Sequence, residues 1–314
     1  MDKKQFYTNK KNIVFLAIIC CALWGSAYPA IKIGYELFDI AASDTPTKLI
    51  FAGYRFTLAG LAVLALQVME KKSLRLESKK VLAQVGLLGL TQTTIQYICF
   101  YIGLANTTGI NGSIINGTGT FFSIILAHFI YKNDRINLNK IIGCTIGFLG
   151  VIIVNLGGGA SASSSFALNG EGLVMLSAFT LSASAIYGKK ITQKQDATII
   201  TGYQLTIGGV ILTALGVAFG GSLGGFTVRS VVLLVYMALL SSVAFVLWSQ
   251  LMKYNKVGTI SMFNFLIPVF GTLLSAVFLG ENIFDVRLLV SLALVCAGIF
   301  IVYRKSDVAK SQEV

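Results

Sequence analysis

Charge is what this sequence has least of. Asp, Glu, Lys and Arg make up 12 % of its 314 residues, where a soluble chain carries roughly a quarter. With 55 % hydrophobic residues, that excludes an ordinary soluble domain and places the chain in the membrane class. Histidine occurs once, at His128. An integral-membrane enzyme acting on lipid or isoprenoid substrates needs Asp, Glu or His clustered at depth for acid–base or metal chemistry. No apolar run here holds such a cluster, so an enzyme is the second reading, and no catalytic residue, metal ligand or cofactor is expected. Three prolines exclude a Pro-rich linker or tail. The five cysteines, Cys20, Cys21, Cys99, Cys144 and Cys296, all fall inside apolar runs with no C-x-x-C among them. Neither a disulfide framework nor a zinc site follows. No G-x-x-x-x-G-K-[ST] loop occurs, so ATP is not the expected energy source.

What the sequence does have is apolar runs of membrane-crossing length, about 20 residues each. Ten are read, at roughly 12–34, 48–69, 81–101, 107–131, 139–157, 170–188, 197–219, 229–251, 257–279 and 286–303. The fold class expected is therefore an all-α polytopic membrane protein. Of the 25 Lys and Arg residues, 20 fall in the loops of one side and four in the loops of the other, with Arg55 inside a span. The positive-inside rule then puts both termini in the cytoplasm of a multi-pass cell-membrane protein. The net charge of +12 is thus a topology signal, and nucleic acid is not an expected partner. The charged start is like the n-region of a signal peptide, but the following apolar run is too long and lacks an A-x-A site, so it reads as a retained first helix.

An offset of 149 residues pairs Gly53-Tyr54-Arg55-Phe56-Thr57 with Gly202-Tyr203-Gln204-Leu205-Thr206, and Asn106 and Gly109 with Asn255 and Gly258. Gly150–Val154 aligns with Gly298–Val302 after one residue of slippage. The chain divides accordingly into a five-helix unit over 1–157, a Gly/Ser-rich external linker over 158–169, a second five-helix unit over 170–304 and a tail over 305–314. An odd number of spans per unit inverts the second copy. Inverted repeats mark secondary transporters, with the substrate near the midplane between the halves.

Trp24-Gly25-Ser26 with Lys32, Tyr54-Arg55-Phe56, and the run from Leu240-Ser-Ser-Val-Ala-Phe-Val-Leu-Trp248 to Pro268-Val-Phe-Gly271 and Leu279-Gly280-Glu281 resemble the EamA family of the drug/metabolite transporter superfamily. The resemblance spans nearly the whole chain. It implies a ten-helix carrier of amino acids, other small metabolites or drugs, with a central cavity lined by spans one, three, four, six, eight and nine. Two departures stand out. Gly119 occupies the place of Pro268 in the first repeat, and span one lacks the mid-membrane glutamate of the small multidrug resistance relatives.

Polar residues inside apolar spans are the candidates for such a pathway, because lipid tolerates them only against protein or a water-filled cavity. Span four carries the densest set, with Gly112, Asn116, Thr120 and Ser123 on one narrow stripe. It reads as cavity lining or as a close-packing face. Gln92 and Gln96 share a face of span three, with Tyr101 near its outer end; they read as substrate contacts or as interhelical bonds. Trp24 and Trp248, the only tryptophans, read equally as cavity walls or interface anchors. Asn264 sits one turn before Pro268, whose missing N–H frees the Asn264 carbonyl. Ser26 completes the substrate-binding set, and Gly119 and Pro268 are the hinge candidates. Arg55 could meet a substrate carboxylate, but snorkelling or pairing with Glu36, Asp39 or Asp44 is the favoured expectation. His128 is a minor coupling candidate near the membrane surface. Gly143-x-x-x-Gly147 reads as a helix-packing or dimerisation face. The reading is a carrier of small solutes, favoured as a monomer in the bilayer. A non-transporting scaffold would not need the polar stripes.

Overall fold

The structure, a computed structural model, describes residues 2–107, 112, 115–155, 167–279 and 286–305. Residues 158–166 of the linker expected over 158–169, Asn111, Gly280-Glu281 and most of the tail lie outside the described residues. Among the described residues there is no strand. A short α1 (Lys3–Thr8) leads into α2 (Lys10–Leu37) and α3 (Thr45–Met69). Next come α4 (Lys79–Ala105), α5 (Gly119–Ile130), α6 (Leu138–Asn155) and α7 (Leu173–Thr192). The last four are α8 (Ala197–Ala218), α9 (Val228–Tyr254), α10 (Val257–Phe278) and α11 (Val286–Lys305).

Six of these, α2, α3, α4, α8, α9 and α10, are long and apolar enough to cross a membrane, and Ile115–Ile130, Leu138–Ile153 and Leu289–Val302 are shorter apolar helices. The chain is a multi-pass membrane protein. α7 is not among the six; it carries Ser177, Thr180, Ser182 and Ser184, which lower its hydropathy. Caps explain where the helices begin. Asp44 accepts the Thr47 N–H ahead of α3, Asp196 accepts from Thr198 and Ile199 ahead of α8, and Thr227 and Ser230 form a reciprocal box ahead of α9. Each cap satisfies donors that a helix start otherwise leaves unpaired.

Regular helix gives way at three places. α4 widens into a π turn over Leu90–Ile95, α7 is preceded by a π turn over Leu168–Gly172, and α10 tightens to a 3-10 turn over Met262–Phe265. The last lies just before Pro268, whose missing N–H removes one helix hydrogen bond there. The fourth span, expected as one helix, has a turn at Thr118 before α5 starts at Gly119.

Glycines set the closest packing. A Cβ on Gly60 would lie 2.5 Å from Thr206 N and 2.6 Å from Gly202 O, and one on Gly209 2.5 Å from Thr57 N. The α3 and α8 backbones therefore touch, as small residues permit in membranes. Gly143 meets Gly298 and Val302 of α11, and Gly147 meets Phe265, so this face packs within the chain. Further contacts join α2 to α9 and α10, and α7 to α4 and α5.

Candidate functional site

Between these helices lies a cavity of about 210 Å³. α2, α4, α5, α7, α9 and α10 line it, α6 and α11 contribute nothing, and α3 contributes one residue, Arg55. Trp24, Gln92, Gln96, Tyr101, Asn116, Gly119, Thr120, Trp248, Asn264 and Pro268 all border this space. Residues from both halves of the sequence thus meet there, although 240 positions separate Trp24 from Asn264.

Aromatic rings form one wall. Trp24 meets Trp248 edge-on with centroids 5.1 Å apart and Phe245 at 5.5 Å, the tilted geometry that ring quadrupoles favour. Both tryptophans border this cavity. Tyr97 packs on Phe56 at 4.7 Å and near Tyr101 at 6.0 Å.

Amides and hydroxyls form the other. Gln96 is buried; its Nε2 donates to Ser177 Oγ at 3.0 Å, while its Oε1 has no partner. The side-chain amides of Gln92, Asn116 and Asn264 border the cavity without a hydrogen bond to another described residue. Thr120 Oγ1 donates to Ser261 O at 3.3 Å, beside the 3-10 turn of α10. Ser182 Oγ donates to Gly119 O at 2.8 Å. A neutral polar solute could exchange water for these groups without breaking helix bonds.

Arg55 departs from the expectation. It neither snorkels nor pairs with Glu36, Asp39 or Asp44: it is 3 % exposed, its Nε donates to Ser241 Oγ at 2.8 Å, and its guanidinium lies 5.0 Å from the Phe56 ring centre. α3 starts at Thr45, three residues before the expected span, which places Arg55 about 15 Å along the helix at about 1.5 Å per residue. The cavity is the polar space that Arg55 borders.

Ser26 and His128 do not border the cavity. The Ser26 hydroxyl bonds Leu23 O and the Tyr236 hydroxyl, both at 2.8 Å, at the α2–α9 contact. His128 Nδ1 accepts the Ile136 N–H at 3.1 Å and so braces the turn after α5. Tyr28, Tyr97, Phe100 and Ser182 also line the cavity and were not singled out from sequence. Tyr97 follows Gln96 directly and lies one turn before Tyr101, a signal that could have found it.

A second, wider space of about 970 Å³ opens where α2 begins and α7 and α9 end. Lys10, Lys189, Lys190, Lys253 and Lys256 border it, with Asp134 as the acid. Lys189 bonds Asn255 O and lies 5.2 Å from the Tyr131 ring centre.

Several relatives of this chain carry transport names. An uncharacterized transporter of Archaeoglobus fulgidus is 26 % identical over 276 residues, covering 87 % of this chain and 91 % of its own. A probable amino-acid metabolite efflux pump of Salmonella typhimurium is 23 % identical over 303 residues, covering 91 % and 93 %. A solved crystal structure at 15 % identity superposes with a TM-score of 0.78 over 95 % of this chain and 100 % of its own, and so shares the fold. The model of the EamA-like transporter family matches twice, over residues 11–156 and 168–304. The chain therefore belongs to the EamA-like transporter family, and through it to the drug/metabolite transporter superfamily.

Proposed function

We propose that this protein is a secondary transporter that moves small organic solutes, amino acids and related metabolites foremost, across the cytoplasmic membrane by alternating access. One observation carries the reading: polar side chains without internal partners face a cavity formed by helices of both halves. Such groups are costly at membrane depth unless water or a solute meets them. A volume of about 210 Å³ holds about seven waters at about 30 Å³ each, the scale of a small metabolite.

The contact pattern supports ten spans in two inverted repeats. Exchanging each helix of 10–155 for its counterpart in 168–305 turns the α2–α10 contact into α7–α5 and α2–α9 into α7–α4, and returns α3–α8 and α6–α11 to themselves. The double family match supports the same division into units over 1–157 and 170–304. The two units rock about the α3–α8 contact, with Gly119 and the turn before Pro268 yielding. Both termini face the cytoplasm, where the lysine-lined space receives solute. The efflux name of the Salmonella relative and the aromatic–amide lining favour amino-acid-like solutes, moved by a monomer.

The test is uptake by proteoliposomes from a panel of labelled amino acids, amines and organic acids, with and without a pH gradient. Saturable uptake lost in Gln96→Ala and Asn116→Ala supports the reading. Uptake of none of them by folded, inserted protein overturns it.

A further inference from the structure

We propose that Arg55 is the anion-recognising residue of the cavity, and that the transported solute carries a carboxylate which the guanidinium holds. The inference rests on the carrier reading and names the substrate chemistry of that site. It begins with a cost. A guanidinium stays charged at any physiological pH, and an uncompensated charge in a membrane interior is retained only where something pairs with it. Among the described residues no carboxylate lies within 4.0 Å of Arg55, and the guanidinium's sole hydrogen bond is Nε to Ser241. Ser241 is itself fixed, its hydroxyl donating to Met237 O at 2.7 Å. Nε is thereby occupied and oriented, and the two terminal nitrogens, the pair that grips a carboxylate side by side, are left for the cavity.

The surroundings fit that role. Among the described residues, Arg55 is the only Asp, Glu, His, Lys or Arg side chain bordering the cavity, so a cation that carries no acid group would meet its repulsion with no carboxylate to offset it. The side-chain amides of Gln92, Asn116 and Asn264, residues of the same lining, offer carbonyl acceptors suited to the ammonium of an amino acid. The five lysines of the wider space raise the local concentration of anions at that end of the helices.

The other half of the chain carries a neutral residue at this place. Gln204, 149 residues on, is 2 % exposed and accepts the Thr93 hydroxyl at 3.1 Å. It bridges α8 to α4 as Arg55 bridges α3 to α9. A neutral amide is therefore enough to join the helices, and the charge at Arg55 adds something the packing does not require.

The experiment compares wild type with Arg55→Gln, which copies Gln204, using two probe pairs: L-phenylalanine with L-phenylalaninamide, and 3-phenylpropanoate with 3-phenylpropanamide. Stabilisation of the purified protein against heat is titrated for each probe, and uptake into liposomes is measured in parallel. In wild type at least one acid is expected to half-saturate at a concentration at least tenfold below its amide. Arg55→Gln, with an unliganded melting temperature near that of wild type, should level the pair. Arg55→Lys, which keeps charge without the fork, should fall between. Equal affinity for acid and amide in wild type, a preference that survives in Arg55→Gln, or stabilisation by none of the four probes overturns the proposal. Preferential binding of an acid without uptake would instead sink the carrier reading and leave Arg55 as an anion site.

Discussion

Asp134 accepts the backbone N–H of Gly258 at 2.9 Å, across 124 positions of sequence. Gly258 is the second residue of α10, whose start at Lys256 has no side-chain cap of its own. Asp134 thus caps a helix of the other half from the turn between α5 and α6. Its other oxygen takes the Lys140 ammonium at 2.6 Å, and that ammonium also bonds the carbonyls of Asp134 and Arg135. Both side chains are buried, at 7 % and 1 % exposure.

Removing one partner of such a pair strands the other. Asp134→Ala should cost about 3–5 kcal/mol of stability by leaving Lys140 charged and buried. Asp134→Ala with Lys140→Met should cost less than Asp134→Ala alone. A double-mutant cycle on thermal unfolding in detergent tests this; additive losses would show that the two residues do not act as a pair.

Gln96 predicts a separation of stability from function. Its Oε1 is a buried acceptor without a donor, a condition that costs on the order of 1–3 kcal/mol. Gln96→Met loses the Ser177 bond but also removes that orphan. The melting temperature should therefore stay within a few degrees of wild type. The half-saturating solute concentration should rise about tenfold, equivalent to about 1.4 kcal/mol. Lost stability with unchanged affinity would make Gln96 a packing residue.

Much of this arrangement was legible beforehand. Gln92, Gln96, Asn116 and Asn264 stand out because lipid penalises amides, and the same penalty drives them together in the fold. Arg55 was misread for a local reason. The snorkelling expectation considers one helix, whereas the side chain is held by Ser241 from α9 and by Phe56, which no spacing rule reveals. Ser26 misled because a serine in a helix can bond its own preceding turn, as it does at Leu23, and its remaining partner is Tyr236. The π turn at Leu90–Ile95 was hidden too. It is sustained by contacts such as the Thr94 hydroxyl on Gly208 O, at 3.0 Å across the α4–α8 contact.

Asp44 gives α3 a pH-dependent start. Hydrogen bonds from the Thr47 side chain and backbone hold its carboxyl below the ordinary aspartate value. A depressed folded-state pKa contributes stability above the unfolded value, and that contribution is lost as pH falls through the folded one. Asp44→Ala should lower stability at neutral pH by about 0.5–2 kcal/mol, the range of a lost cap. The gap from wild type should close in acid, below the aspartate range. Melting curves at neutral and acid pH decide it, and a gap that does not change with pH would rule out the titrating cap.

Gly60 and Gly119 should respond oppositely to the same substitution. A Cβ on Gly60 would lie 2.5 Å from Thr206 N and 2.6 Å from Gly202 O. Those are backbone atoms that cannot turn aside, so Gly60→Ala must push α3 from α8 and should abolish stable folding or lower the melting temperature strongly. A Cβ on Gly119 would meet Ala178 O and Ser182 Oγ at 3.5 Å, ordinary contact. Gly119→Ala should therefore fold, and alanine's helix preference, worth about 1 kcal/mol over glycine, should stiffen the start of α5. If α5 yields there during each transport cycle, Gly119→Ala will bind solute with wild-type affinity and move it more slowly. Thermal stability, solute affinity and uptake rate measured together separate the cases. Wild-type uptake by Gly119→Ala would remove Gly119 as a hinge and leave the turn before Pro268 to supply the motion.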